Sequence, residues 1–144
     1  MTVKQFSIHM PNQPGQLAAI SRMMGEAGVN ILAFFVSTET PGSYGLIRFV
    51  GDNPDKAESV LSGQGLEFKV DEVLAAETPH HAGGLLAVLE PLQRAGVNVD
   101  YIYPTIQTGE VTILIIGCGK DLAKGIEALK KDWIRLYGNE LYNM

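Results

Sequence analysis

Pro11-Asn12-Gln13-Pro14-Gly15-Gln16-Leu17, followed one helix length later by Ala27-Gly28-Val29-Asn30-Ile31, comes back as Pro79-His80-His81-Ala82-Gly83-Gly84-Leu85 and Ala95-Gly96-Val97-Asn98-Val99. Both matches share an offset of 68 (83 − 15 and 98 − 30), with no gap from position 11 to position 31. Further on, Ile47-Arg48-Phe49-Val50-Gly51 lies over Ile113-Leu114-Ile115-Ile116-Gly117 at an offset of 66, which places two missing residues in a hairpin loop. Self-similarity at a fixed period marks one structural unit used twice. The 144 residues are therefore expected to form two domains, 1–70 and 71–144.

One repeat reads as follows. Val3 to Met10 alternates, with Phe6, Ile8 and Met10 on one face and Gln5, Ser7 and His9 on the other, as a half-buried strand does. From Gln16 the apolar spacing becomes helical, through Leu17, Ile20, Met24 and Ala27, and Gly28 is a natural stop. Ile31 to Ser37 and Tyr44 to Val50 are strands joined by a turn over Thr40-Pro41-Gly42-Ser43. Asn53 caps a second helix with Pro54 at its first position, and Gly63 to Gly65 ends it. Leu66 to Val70 is a fourth strand.

The second repeat keeps this order. Val73 to Thr78 is a strand, and Leu85, Val88, Leu89, Leu92 and Ala95 form a helical stripe. Pro91 sits inside that stripe and predicts a kink, because it removes a backbone donor. Val99 to Thr105 and Val111 to Ile116 are strands, Asp121 to Asp132 is a helix, and Ile134 to Leu136 leads into a last strand. Only Asp71 and Glu72 separate the halves, so the last strand of one runs almost directly into the first strand of the next.

The fold class that follows is α+β: two ferredoxin-like βαββαβ units, each an antiparallel four-stranded sheet with its helices on one face. The other face of such a sheet is normally polar. Here Ile31 to Val36 and Ile113 to Ile116 are apolar on both strand faces, so the helix-free face is expected to be covered by the other repeat or by a second chain. A unit of about 70 residues is marginal alone, which also favours a homodimer.

Composition narrows the function. Hydrophobic residues make up 46% and charged residues 19%, and the net charge is -5. Lys and Arg are scattered, which disfavours nucleic acid and anionic membrane surfaces alike. The longest nearly unbroken apolar run, Val111 to Ile116, is far short of a membrane span. The N-terminus lacks a signal-peptide layout, and Cys118 is the single cysteine, so a cytoplasmic protein without an internal disulfide is expected.

The turns ahead of the first helices carry the binding features. Gly15 lets backbone approach a ligand, and a helix N-terminus offers N–H groups to a carboxylate. Asn12 lies just ahead, and Asn30 follows the helix. An Asn side chain gives an acceptor for an ammonium and donors for a carboxylate, both of which a zwitterionic amino acid requires.

Pro-Gly-x-Leu followed after a helix by Gly-Val-Asn-Ile resembles the ACT domain, and the resemblance covers nearly the whole chain. It implies binding of a free amino acid at an interface between two such domains whose sheets lie side by side, as a regulatory signal for a metabolic enzyme. In phosphoglycerate dehydrogenase the motif has an Asn two residues before Pro-Gly and another in Gly-Val-Asn, both touching the effector. These positions match Asn12 and Asn30, and His80 and Asn98 in the second repeat. The expected ligand-binding set is Asn12, Gly15, Gln16, Leu17 and Asn30, with His80, Gly83, Gly84, Leu85 and Asn98. Met10 stands where that enzyme has His, and Ala82 stands where Pro is expected, so the effector's identity does not carry over. The loops differ, and unequal affinities are expected.

Other chemistries find less support. His80-His81 are adjacent and have no second cluster at ligand spacing, so no metal is expected. Cys118 has no paired base, and no Gly-x-Ser-x-Gly motif is present, so no catalytic residue or cofactor is expected. Tyr101 and Tyr103 share a strand face and fit packing better than a pocket. The alternative to a sensor is a regulatory subunit that docks a metabolic enzyme without a ligand of its own.

Overall fold

Successive strand side chains point to opposite faces, so the alternation of Phe6, Ile8 and Met10 fixes how the first strand sits. The computed structural model, which describes residues 1–38, 44–106 and 111–144, forms this strand over Val3–Pro11 (β1). Phe6, Ile8 and Met10 pair with Phe49, Ile47 and Gly45 of an antiparallel β3 (Tyr44–Gly51). β2 (Ile31–Thr38) flanks β3 on its other side, Phe34 opposite Phe49 and Val36 opposite Ile47, and is an edge strand in the order β2-β3-β1. The expected turn over 40–43 lies outside the described residues.

Ile20 and Met24 of α1 (Gln16–Glu26) and Ala57 and Leu61 of α2 (Pro54–Gly63) join Phe6, Ile8, Met10, Ile47 and Phe49 in one core. Both helices therefore cover the same sheet face. Fully burying side chains such as Phe6 and Phe49, whose rings stack at 5.3 Å, contributes roughly 1.5–3 kcal/mol each. The Asn53 side chain accepts the Lys56 N–H at 3.2 Å, the expected cap. On the helix-free face Ala33 pairs with Val50, and both are buried.

Lys4–Asp71 is one compact unit, and Met1–Val3 with Glu72–Met144 is the other. The boundary falls inside β4 (Phe68–Thr78), one strand where the sequence pattern gives two. In the second unit Leu74 and Ala76 pair with Ile116 and Leu114 of β6 (Thr112–Gly117), and β5 (Tyr101–Pro104) pairs with β6 from its other side. Val88 and Leu92 of α3 (Gly84–Arg94) and Ala128 and Leu129 of α4 (Leu122–Lys131) share their core. The helix expected from Asp121 is preceded by a 3-10 turn, Gly119–Asp121. α3 continues through the buried Pro91. The expected last strand shrinks to one bridge, Leu136 to Ala76, flanked by Tyr137 N–H on Ala75 O at 2.8 Å and Glu77 N–H on Arg135 O at 2.9 Å. Each unit is a ferredoxin-like βαββαβ module. No helix among the described residues is long and apolar enough to cross a membrane.

The register of β6 corrects the alignment by one residue. Ile47 and Phe49 face the helices in the first unit, and Leu114 and Ile116 do so in the second. The offset there is 67 (114 − 47), not 66. A one-residue slip turns every side chain to the other face, so matching Ile47 to Ile113 puts the wrong set in the core. The offset returns to 68 (129 − 61) in the last helices, where Leu61 and Leu129 are both fully buried.

The four α-helices among the described residues end the same way. The N–H of Val29, Leu66, Val97 and Ile134 donates to the carbonyl of Met24, Leu61, Leu92 and Leu129, at 2.8, 3.2, 2.9 and 3.0 Å. This 6→1 bond requires a left-handed residue just before the donor. Three of the four are Gly28, Gly65 and Gly96, with φ of 77°, 69° and 70°. The fourth is Trp133, at φ 60°. A side chain in this conformation costs roughly 1–2 kcal/mol, and Trp133 is 94% exposed, so burial does not offset it. Trp133→Gly is predicted to raise the stability of dilute protein by up to about 1 kcal/mol, after the extra chain entropy of Gly, seen as a melting temperature higher by a few degrees. A fall of that size would mean that the indole makes stabilising contacts within its own chain.

Candidate functional site

β1 stops at Pro11, where the Gln13 N–H folds back onto the Pro11 carbonyl at 2.9 Å. Gly15, at φ 88°, then swings the chain into α1. No side chain caps α1 and no acid lies in its first turn, so the positive end of the helix dipole stays uncompensated. This end faces the far end of edge strand β2 across a cleft of about 220 Å³. Met10, Val36 and Ile47 give the cleft apolar walls, and Asn12 and Thr38 are among its polar ones. Gly45 lies between Met10 and Thr38 in the sheet; a Cβ there would meet Thr38 Cγ2 at 3.3 Å, so the missing side chain keeps the floor open.

Four expected residues meet here: Asn12, Gly15, Gln16 and Leu17. Asn30 does not. It follows α1, which spans 11 residues, and a helix rises 1.5 Å per residue, so about 16 Å separates Asn30 from the Gly15 turn within one unit. Its backbone is held there by Asp52, whose Oδ1 accepts the Asn30 N–H at 2.9 Å and whose own N–H donates to Asn30 O at 3.0 Å. Met10, Val36, Thr38, Gly45 and Ile47 were not singled out as site residues. Their signal lay in the strand pattern, since all five share the helix-facing side at one end of the sheet.

The second unit builds the matching turn differently. Thr78 replaces Met10, and its buried hydroxyl donates to the Gly84 carbonyl at 2.7 Å. Gly84, in the place of Gln16, is pressed so closely that a Cβ would lie 2.0 Å from the Pro79 carbonyl oxygen. Gly83 takes φ 83°, Leu85 and His80 are exposed, and His81 Nδ1 lies 2.8 Å from Ala82 O. The Asn98 side chain donates to Asp100 Oδ1 at 2.8 Å, and its N–H reaches Asp121 Oδ2 at 3.2 Å. This turn is tied to its own strand, whereas the first stands open.

Other groups are placed outside this chemistry. Cys118 is buried, and burial first, then Asp100 and Asp121, pushes its thiol pKa up. The nucleophilic thiolate is thereby disfavoured. Tyr101 packs over Gly117 and stacks on Tyr103 at 6.3 Å, as packing residues do. Among the described residues no three His, Cys, Asp or Glu side chains are grouped to hold a metal ion. A larger groove, about 590 Å³, lies between α3 and α4 but contains none of the expected binding residues.

The family model of the ACT domain pair matches residues 1–135. Among solved structures the chain is similar to protein BT0572 from Bacteroides thetaiotaomicron, at 26% identity and a TM-score of 0.89, with 100% of this chain and 98% of that one covered. Its fold is also similar to that of the ligand-free regulatory subunit of aspartate kinase from Thermus thermophilus, at 18% identity and a TM-score of 0.65, covering 90% of this chain and 91% of that one. Aspartate kinase from Synechocystis shares 19% identity at a TM-score of 0.58, over 93% of this chain but 26% of that one. No curated protein matches the chain.

Two outcomes follow from this geometry. Gly84→Ala should cost about 1–3 kcal/mol in chemical denaturation, because the new methyl has no room, while Gln16→Ala at the matching position should stay within about 0.5 kcal/mol. Equal losses would contradict the difference between the turns. A disulfide reagent at pH 8 should modify Cys118 far more slowly in native than in unfolded protein, since a raised pKa keeps the thiol protonated through neutral pH. Equal rates would contradict the buried thiol.

Proposed function

This chain belongs to the ACT domain-pair family, and from that premise we propose that it is a regulatory protein that binds a free amino acid in the first-unit cleft. The observation that carries this reading is the uncapped α1 terminus facing an apolar floor. A ligand carboxylate would meet the first N–H groups of α1, where the dipole favours an anion. The ligand side chain would lie on Met10, Val36 and Ile47. Among the described residues no charged side chain lines the cleft, which favours an uncharged, aliphatic ligand side chain. The volume of about 220 Å³ equals that of about seven waters at ~30 Å³ each, which is the scale of a mid-sized amino acid.

The ammonium partner comes from a second copy. β2 is an edge strand with Phe34, Phe35 and Val36 exposed along it, and an open apolar edge invites pairing. Two β2 strands paired antiparallel about Phe34 put Asn30 of one copy opposite Thr38 of the other, since 30 + 38 = 34 + 34. Asn30 then reaches the cleft that its own helix keeps it from. A homodimer with ligand at its interface reconciles the two Asn positions. Ligand bound there favours the paired arrangement, and that bias is the signal that a metabolic enzyme would read. The tied turn of the second unit, with Asn98 engaged, makes it the weaker site. That a similar fold serves as a regulatory subunit of aspartate kinase supports a regulatory rather than catalytic role.

Calorimetric titration with the twenty amino acids tests this. One or a few aliphatic amino acids should bind, near one per chain. Asn30→Ala should weaken binding about tenfold or more, the cost of losing a hydrogen bond to a charged group. Val36→Glu should abolish it. Folded protein that binds none of the twenty would sink the proposal and leave a docking subunit without a ligand.

A further inference from the structure

Trp133 is strained, solvent-exposed and without a structural task that Gly does not perform at three matching helix ends. We propose that it anchors a self-docking contact, in which the indole of one copy seats in the α3/α4 groove of a second copy. This inference uses neither the cleft of the first unit nor the β2 edge.

The groove has the chemistry an indole needs. Its uncharged lining is Pro91 and Ala128, both buried, with Ala95 and Ala123 exposed beside them. Its charged lining is the cations Arg94, Lys124 and Lys131 with the carboxylates Glu127 and Asp132 between them. Cations lie favourably over an indole face, the strongest of the aromatic partners for this contact. The Arg94 guanidinium is held at the rim by Asp132 at 2.7 Å.

The occupant follows from the arrangement. Asp132 lines the groove and is the residue bonded to Trp133, so knob and hole lie side by side on one patch of one unit. Such a patch is self-complementary: a two-fold axis beside it lays each indole over the other copy's groove at once. A second copy of this chain therefore satisfies both halves, whereas a different partner would have to supply a knob and a hole of its own. Each indole buries about 150–250 Å². Two of them fall short of a standard interface of ~1,600 Å², so the contact is reversible and set by protein concentration.

Trp133 is the single tryptophan of the chain, so fluorescence excited beyond the absorption of the tyrosines reports the surroundings of this side chain. The experiment records emission and sedimentation over a wide range of concentrations for wild type, Trp133→Gly and Ala123→Glu. Wild-type emission should move from the water-exposed wavelength to the blue as concentration rises, with a parallel rise in mass. Trp133→Gly removes the knob and relieves the helix end, so it should fold and sediment at about half the concentrated wild-type mass. Ala123→Glu replaces a methyl of the lining with a longer, charged side chain that fills the groove, and should behave likewise, with emission fixed at the exposed wavelength. A mixture of the two variants should regain part of the association and part of the blue shift, because the intact indole of one meets the intact groove of the other. Emission independent of concentration, or unchanged association in Trp133→Gly, would overturn the proposal. Pairing through β2 persists in these variants if it exists, so failure of one interface leaves the other readable.

Discussion

A crossover of strand, helix and strand separates the two ends of its helix by the helix's full length. That constraint governs the whole molecule. It places the Gly15 turn and the β2 terminus at one end of the sheet, and Asn30 with Asp52 at the other. It forces α1 and α2 to share one face, because each helix must bury its apolar stripe against the strands that it joins. The residues that look like one binding motif in sequence are thus held apart within one unit, and the proposed pairing of two β2 strands is the arrangement that would bring them together.

Two uses of one fold diverge within that frame. Met10 and Gln16 leave the first turn open over an apolar floor, while Thr78 and Gly84 lock the second onto its own strand. The difference rests on two positions of the repeat. A hydroxyl reaching a carbonyl, together with a glycine under a second carbonyl, is enough to close a site whose backbone path is otherwise the same. A repeated module with one open turn and one tied turn can sense with one half and hold structure with the other.

Much of the fold was legible in sequence, and the failures have physical causes. The glycines after α1, α2 and α3 announced helix ends because only glycine takes that conformation cheaply. The fourth end, expected at Asp132, falls at Lys131, but that Trp133 takes the same left-handed conformation there had no signal in its chemistry. The one-residue error at β6 arose where Ile113 to Ile116 are apolar on both faces, so that alternation, which fixed β1, had nothing to fix. Asn53 was read as a cap from local spacing alone and the structure agrees. The floor of the cleft was not legible, because Met10, Val36 and Ile47 come from three strands and meet only through sheet register.

The central claim is that the cleft of the first unit, and not the matching turn of the second, receives an aliphatic amino acid. A methyl-labelled NMR titration with leucine, isoleucine and valine addresses it residue by residue. The account predicts saturable shifts at Leu17, Val36 and Ile47, with Leu85, Leu86 and Leu114 unmoved. Saturable shifts at Leu85, Leu86 and Leu114 with Leu17, Val36 and Ile47 unmoved would contradict it.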